Sequence, residues 1–123
     1  MSYVSNPDHT VMVAALVKNP MQLMEEVTPE KLNLLHMAVG VAGEAGELLD
    51  AAKKCVMYNK SLDVENVIEE LGDIEFYMEG LRQHLGITRE ETLDANIAKL
   101  GVRYAKGFSN EAAQARADKE DGE

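Results

Sequence analysis

The sequence predicts an all-α protein, and three observations lead to this prediction. The chain is rich in Leu, Ala, Glu and Met, which favour helix, and contains no Trp and only two Phe. No segment alternates apolar and polar residues as a half-buried strand does. An apolar seam repeats every seven residues, at Val64, Leu71, Met78 and Leu85. Because this spacing is typical of packed helices, we expect a helical bundle of four main helices.

The first two helices are predicted from their start and stop signals. A short helix is expected from His9 to about Lys18, where Asn19-Pro20 ends it. Thr28 begins the second helix as its N-cap, and Pro29 fits the first helical position. This long second helix is expected to end near Tyr58.

The third and fourth helices follow in the same way. The third carries the seven-residue seam from about Asp63 to Leu85, and Gly86 is a favourable C-terminal stop. Thr88 opens the fourth, with Glu91 three residues later as the second residue of a capping box. We expect this helix to end near Tyr104.

The length of 123 residues fits one domain and is too short for two. We expect residues 1–118 to form it, with a loose leader over 1–8 and an acidic flexible tail over 119–123. The single cysteine, Cys55, cannot form an internal disulfide and is expected to have a packing role, as in a reducing compartment. No signal peptide or membrane-length apolar run is recognisable. We therefore expect a cytoplasmic protein.

The net charge limits the classes of partner. Twelve basic residues against twenty-two acidic ones give a formal charge of −10. Nucleic-acid polymers and anionic membranes attract basic surfaces, so neither is an expected partner. A small phosphorylated ligand remains compatible with this charge, because metal ions and a few Lys or Arg side chains can invert an acidic field locally.

Two short acidic pairs are the most informative feature of the chain. Glu44 and Glu47 form the first, and Glu70 and Asp73 form the second after a spacer of twenty-two residues. Spacing of i, i+3 puts both carboxylates of a pair on one side of a helix. Two such pairs facing each other across antiparallel helices would repel unless a cation lay between them. Four oxygen ligands suit a hard divalent ion such as Mg²⁺, with Mn²⁺ as a possible substitute.

The alternative is that these acidic faces are simply solvated. Four glycines argue against it, because each glycine inside a helix costs about 1 kcal/mol relative to alanine. They lie within the two helices that carry the acidic pairs, at Gly40, Gly43, Gly46 and Gly72. Their position indicates either a tight helix approach or room for a ligand beside the acids.

Several cationic and amide side chains are candidates for binding phosphate. Asn96, Lys99 and Arg103 fall on one face of the fourth helix, and Lys54 shares a helical stripe with Glu44. The alternative is that cations near helix ends complement the helix dipole.

His36 and Tyr77 share stripes with the first and second acidic pair. Each is a candidate for contact with a nucleobase or ribose, and each has packing or structural hydrogen bonding as the alternative. The roles of His84, Glu69 and Glu75 stay open, with second-shell support of the acids and a plain surface position both compatible with the sequence.

The motifs around the acids resemble those of a known family. The segment GVAGEAGELLD at residues 40–50, followed by Lys53-Lys54, resembles the first signature of the MazG-like all-α nucleoside triphosphate pyrophosphohydrolases. EELGDIEFY at residues 69–77 resembles the second signature. NIAKL at residues 96–100, with Arg103-Tyr104, is similar to the downstream one. The resemblance covers about residues 32–118 and departs at Ala105, where many relatives have proline.

This resemblance implies an activity and a ligand set. It implies that Glu44, Glu47, Glu70 and Asp73 hold Mg²⁺, and that a nucleoside triphosphate is cleaved between its α and β phosphates. The products would be the monophosphate and pyrophosphate, released by a metal-activated water. A small stand-alone domain resembles bacterial or phage house-cleaning enzymes, and a purine deoxynucleotide is the preferred substrate.

Other functional classes remain as alternatives. One is the related phosphoribosyl-ATP pyrophosphohydrolase, and another is a non-catalytic bundle that binds a nucleotide or a protein partner. A di-iron bundle is disfavoured, because that class needs Glu-x-x-His pairs and this chain has Glu47 and Asp73 at the fourth positions.

The sequence also predicts self-association. Apolar residues extend around more than one face of the second helix, at Leu34, Leu35, Met37 and Ala38. A core this poor in aromatic residues is expected to bury further surface against another copy. The family resemblance implies a homodimer or a dimer-based tetramer, and residues 21–24 are a candidate contact.

Overall fold

The computed structural model describes residues 7–116 and residue 119, and its elements are all α-helices. In chain order these are α1 (Pro7–Leu16), α2 (Pro20–Glu26), α3 (Pro29–Met57), α4 (Val64–Leu85), α5 (Arg89–Arg103) and α6 (Asn110–Ala115). No strand occurs in this part of the chain, so the predicted all-α class is confirmed. None of the helices described is both long enough and apolar enough to span a bilayer.

Two of the three long helices begin at the predicted caps, and the third ends at the predicted glycine. The backbone N–H of Lys31 donates to the Thr28 hydroxyl at 3.2 Å at the start of α3. The Thr88 hydroxyl accepts from the N–H of Glu91 at 3.1 Å, which caps α5. Gly86 ends α4 with φ of 69°, a left-handed conformation that favours glycine. These caps place the helix boundaries within a residue or two of the prediction.

Two short helices were not predicted. Pro20 was interpreted as the end of the first helix, but it is the first residue of α2, where Asn19 caps Met21 N–H at 2.9 Å. The first residue of a helix needs no N–H for a hydrogen bond within the helix, so proline is favourable there. The Asn19-Pro20 pair is therefore the start signal of α2. Helix α6 follows Ser109, whose hydroxyl accepts from Ala112 N–H at 2.9 Å. Each is too short, at 7 and 6 residues, to show a clear apolar period.

The expected leader and tail fall largely outside the described residues. The leader over 1–8 is shorter than expected, because α1 already begins at Pro7, and residues 1–6 are not described. Of the tail over 119–123, only Lys119 is described.

The chain divides into two compact units, Met1–Leu32 and Asn33–Glu123. The first unit contains α1, α2 and the first residues of α3, and its side chains are exposed from Asp8 to Leu32. The second unit contains the rest of α3 together with α4, α5 and α6, and it carries both acidic pairs.

Helices α3 and α4 run antiparallel in the second unit, as three contacts show. Asn33 near the start of this part of α3 lies 3.0 Å from His84 near the end of α4, between Nδ2 and Nδ1. Further along α3, Met37 lies against Gly80, and Gly40 then lies against Tyr77. Each step forward on α3 is therefore matched by a step back on α4. This register brings the acidic pairs of the two helices towards each other.

The described part of one chain buries no hydrophobic side chain. The seam of α4 remains largely exposed, with 58% of Val64, 50% of Leu71 and 55% of Leu85 accessible. The two buried residues are polar, Glu70 and Arg82. Apolar helix faces that stay open in a single chain are surfaces that another packing partner can cover.

Candidate metal centre

Three of the four predicted ligands come together between α3 and α4. Glu44 and Glu47 from α3 and Glu70 from α4 each offer a carboxylate oxygen, and these oxygens all lie within 4.8 Å of one another. Glu70 is buried, Glu44 is half-buried and Glu47 is exposed. The i, i+3 spacing on α3 thus places both of its acids against one acid of α4, as the sequence predicted.

Two oxygens of this cluster are buried without a hydrogen-bond donor. They are Oε2 of Glu44 and Oε2 of Glu70. A buried polar atom without a partner is unfavourable, and a buried carboxylate oxygen more so because it carries charge. The cluster therefore offers oxygen ligands of the kind that a hard cation binds, and two of these oxygens have no other partner among the described residues.

The environment also changes the pKa of Glu70. The interaction of its protonated form with the Glu44 carboxylate is the largest cause, followed by burial and by the negative charge of Glu47. Together they raise the pKa of Glu70 from 4.5 to about 7. Like charges held close together in a partly desolvated site favour the neutral form, so a proton competes with a cation here.

Asp73 is not part of this group. It is exposed, and the cluster found among the described residues comprises the other three predicted ligands. The sequence places Asp73 on the same side of α4 as Glu70. That Asp73 is the fourth metal ligand stays a prediction.

The helix glycines separate into two kinds. A Cβ on Gly40 would overlap the ring of Tyr77, so this glycine permits a close approach of α3 and α4. In contrast, Gly43, Gly46 and Gly72 have open space where a side chain would be. Both interpretations from the sequence therefore apply, each at different positions: tight packing at Gly40 and free volume along the acidic segments.

Tyr77 lies in a small aromatic group with Phe76 and His36. Its ring is half-buried on Gly40, meets Phe76 edge-on at 5.1 Å between centroids, and lies 6.3 Å from the exposed ring of His36. The packing alternative is thus observed for Tyr77, and His36 presents its ring beside it. Contact of either residue with a base stays a prediction.

His84, whose role the sequence left open, has a structural partner. Its Nδ1 lies 3.0 Å from Nδ2 of Asn33. When the amide donates, the neutral imidazole carries its proton on Nε2. This hydrogen bond joins α3 to α4 at the end opposite the carboxylates.

Lys54 forms an ion pair with Asp50, which lies one turn earlier on α3. Its Nζ lies 2.9 Å from Oδ2 of Asp50, which raises the pKa of Lys54 and lowers that of Asp50 through their hydrogen bond and opposite charges. Both side chains are more than half exposed, so the pair is weak and Lys54 remains accessible. They border a cavity of about 230 Å³ at the α3–α4 turn, together with Lys60, Ser61, Asp63 and Asn66.

The three candidates on α5 have different surroundings. Asn96 and Lys99 are exposed, and neither side chain has a hydrogen bond or ion pair in the described part of the chain. Arg103 is half-buried and borders a cavity between α5 and α6 with Lys106 and Ser109. Their proposed hold on phosphate stays a prediction.

One buried charge was missed by the sequence analysis. Arg82 on α4 donates from Nε to Oε1 of Glu79 at 3.0 Å, and its Nη2 lies 3.8 Å from Oε2 of Glu75. The spacing of Glu75, Glu79 and Arg82 along one helix is a signal that was present in the sequence. Glu75, whose role the sequence left open, thus lies beside Arg82 and is not part of the carboxylate cluster.

Comparison of the chain with protein-family models, with curated proteins and with solved structures found no match.

Proposed function

We propose that the protein is a Mg²⁺-dependent nucleotide pyrophosphohydrolase of the MazG-like type. In this proposal it cleaves a nucleoside triphosphate or its deoxy form between the α and β phosphates, giving the monophosphate and pyrophosphate. A purine deoxynucleotide is the preferred substrate, and the bacterial or phage-infected host cytoplasm is the proposed setting. The convergence of Glu44, Glu47 and Glu70 is the observation that supports it most directly.

The residues present fit a hard cation. They offer only oxygen ligands, and two of the carboxylate oxygens are buried with no hydrogen-bond donor among the described residues. The hydrogen bond with Glu44, burial and the charge of Glu47 raise the pKa of Glu70 to about 7. Asp73, one turn further along α4, is proposed to complete the ligand set. When bound here, Mg²⁺ would neutralise phosphate oxygens and lower the pKa of a water molecule.

Other side chains are proposed to hold the substrate. Lys54, Asn96, Lys99 and Arg103 are proposed to bind phosphate oxygens. The ring of Tyr77, whose centroid lies 6.3 Å from that of His36, is proposed to contact the base together with His36. No atom outside the local helix lies within 4 Å of the position that a Cβ would take at Gly43, Gly46 and Gly72, so these positions do not obstruct a ligand that approaches the acidic segments.

We further propose a homodimer or a dimer-based tetramer. Large apolar side chains are exposed along both long helices, including Leu35 at 60%, Leu49 at 69% and Ile68 at 63%. A monomer rarely leaves so many apolar residues in contact with water, and a second copy is the partner that is always present.

The test is an assay of the purified protein with each common nucleoside and deoxynucleoside triphosphate, with Mg²⁺ or Mn²⁺ and with product identification. We expect monophosphate and pyrophosphate in equal amounts. Glu47→Gln should abolish turnover and retain the helical circular dichroism spectrum. Glu65→Gln removes an equal charge from the exposed first turn of α4 and should leave turnover unchanged.

Other outcomes would select the alternatives or reject the proposal. Turnover of phosphoribosyl-ATP alone would assign the related enzyme of the second hypothesis. Nucleotide binding in a calorimeter with no turnover at any metal concentration would assign a non-catalytic binding protein. Release of orthophosphate would contradict cleavage between the α and β phosphates.

A further inference from the structure

The end of α4 and the beginning of α5 enclose a cavity of about 340 Å³. Its wall is mostly apolar, formed by Met78, Leu81, Leu85, Ile87 and Leu93. Every lining residue lies between positions 75 and 93, within one unit of the chain. The volume falls at the lower end of the roughly 300–1,000 Å³ that is typical of small-molecule sites.

Arg82 brings a buried positive charge to this cavity. Its side chain is only 10% exposed and forms part of the wall. Its Nε donates to Glu79, whereas its Nη2 lies 3.8 Å from Glu75, which is beyond hydrogen-bond distance. A guanidinium carries five N–H donors, so most of those on Arg82 have no acceptor among the described residues. N–H groups of this kind at the wall of a cavity favour binding of an anionic group.

Arg89 brings a second positive charge to the same wall. It is the first residue of α5, where the helix dipole disfavours a cation. Its position is therefore not explained by the helix that carries it. Glu75 lines the cavity and Glu79 accepts from Arg82, so Arg89 is the cation of the lining that has no acidic partner among the described residues.

We propose that this cavity binds a small amphiphilic anion. The apolar body of the ligand lies among the apolar side chains, and a carboxylate or similar group lies against Arg82 and Arg89. The basis of the proposal is the match between an apolar wall that carries Arg89 and the free N–H groups of Arg82 and a ligand with an apolar body and one negative charge. The site is separate from the carboxylate cluster and does not depend on the proposed hydrolase activity.

The test compares two probes that differ only in charge, octanoate and 1-octanol, titrated into the full-length protein. Binding is followed by amide chemical shifts in two-dimensional ¹H–¹⁵N NMR spectra. We expect saturable shifts confined to residues 75–93 with octanoate. The affinity for octanol should be about tenfold lower, because it lacks the charge-assisted hydrogen bonds.

Three variants identify the charges involved. Arg89 is exposed, so Arg89→Gln should fold normally, weaken octanoate about tenfold and leave octanol unchanged. Glu75→Gln should tighten octanoate, because it removes a competing carboxylate. Lys106→Gln, which removes an exposed cation beyond the end of α5, should change neither.

Equal affinities for the two probes would overturn the proposal. So would shifts spread over the apolar faces of α1 and α2, which would indicate unspecific binding. Absence of binding because a second copy covers the cavity would also overturn it. That case would be recognised if Leu93→Asp dissociated an oligomer.

Discussion

The ring of Tyr77 on α4 packs directly on the backbone of Gly40 on α3, in the space that a Cβ at position 40 would occupy. This contact sets how closely the two helices approach about one turn before Glu44 on α3. Any side chain at position 40 would have to displace an aromatic ring that also meets Phe76 and faces His36. The glycine is thus required by packing, whereas the next glycines along α3 are not.

Alanine substitutions at two glycines of the same helix should therefore have opposite effects. Gly40→Ala should destabilise the protein by about 1–3 kcal/mol, because the new Cβ overlaps the Tyr77 ring. Gly43→Ala should stabilise it by about 0.5–1 kcal/mol, because its position is open and alanine favours helix. Urea denaturation followed by circular dichroism measures both. Equal effects of the two substitutions would contradict the contact.

Stability should depend on pH through Glu70. Its pKa is 4.5 in an unfolded chain and about 7 in the folded protein, so the folded protein binds this proton more tightly. The stabilisation from Glu70 is therefore fully present below about 4.5 and is lost as the pH rises through about 7. Thermal unfolding in a chelating buffer between pH 4.5 and 8 should show this loss. Glu70→Gln should flatten the dependence in this range, and an unchanged profile in the variant would contradict the assignment.

The sequence predicted the long helices and the position of both acids of each pair on one side of a helix because these depend on local rules. Caps at Thr28 and Thr88 and the stop at Gly86 act within one or two turns, so their positions in the sequence determine the helix ends. The i, i+3 spacing places Glu44 beside Glu47 for the same reason.

Features that depend on the register between helices could not be predicted. Whether Asp73 joins Glu70 depends on how far α4 is rotated relative to α3, and no pattern in the sequence determines that angle. The burial of Arg82 depends on the turn between α4 and α5. The difference between Gly40 and Gly43 likewise appears only when the position of Tyr77 is known.

Neutralising one acid of the cluster should stabilise the protein without divalent ions and should remove its stabilisation by Mg²⁺. In Glu44→Gln, the amide introduces a donor beside the buried Oε2 of Glu70 and removes one negative charge. Without divalent ions at pH 8, this variant should unfold at a higher temperature than the wild type. Added Mg²⁺ should raise the unfolding temperature of the wild type and should have little effect on the variant. Differential scanning calorimetry measures all four conditions, and an equal response of both proteins to Mg²⁺ would contradict a cation site at this cluster.

The exposed seam of α4 should determine the oligomeric state. Leu71 is 50% exposed, and its neighbours on the seam, Val64 and Leu85, are exposed to a similar extent. If a second copy covers this face, Leu71→Asp places a charge in an apolar interface and should give a monomer. Leu71→Met keeps the apolar character and should preserve the oligomer. Sedimentation equilibrium gives the mass of each. A wild type that is already monomeric, or a Leu71→Asp variant with unchanged mass, would show that a second copy does not cover this face.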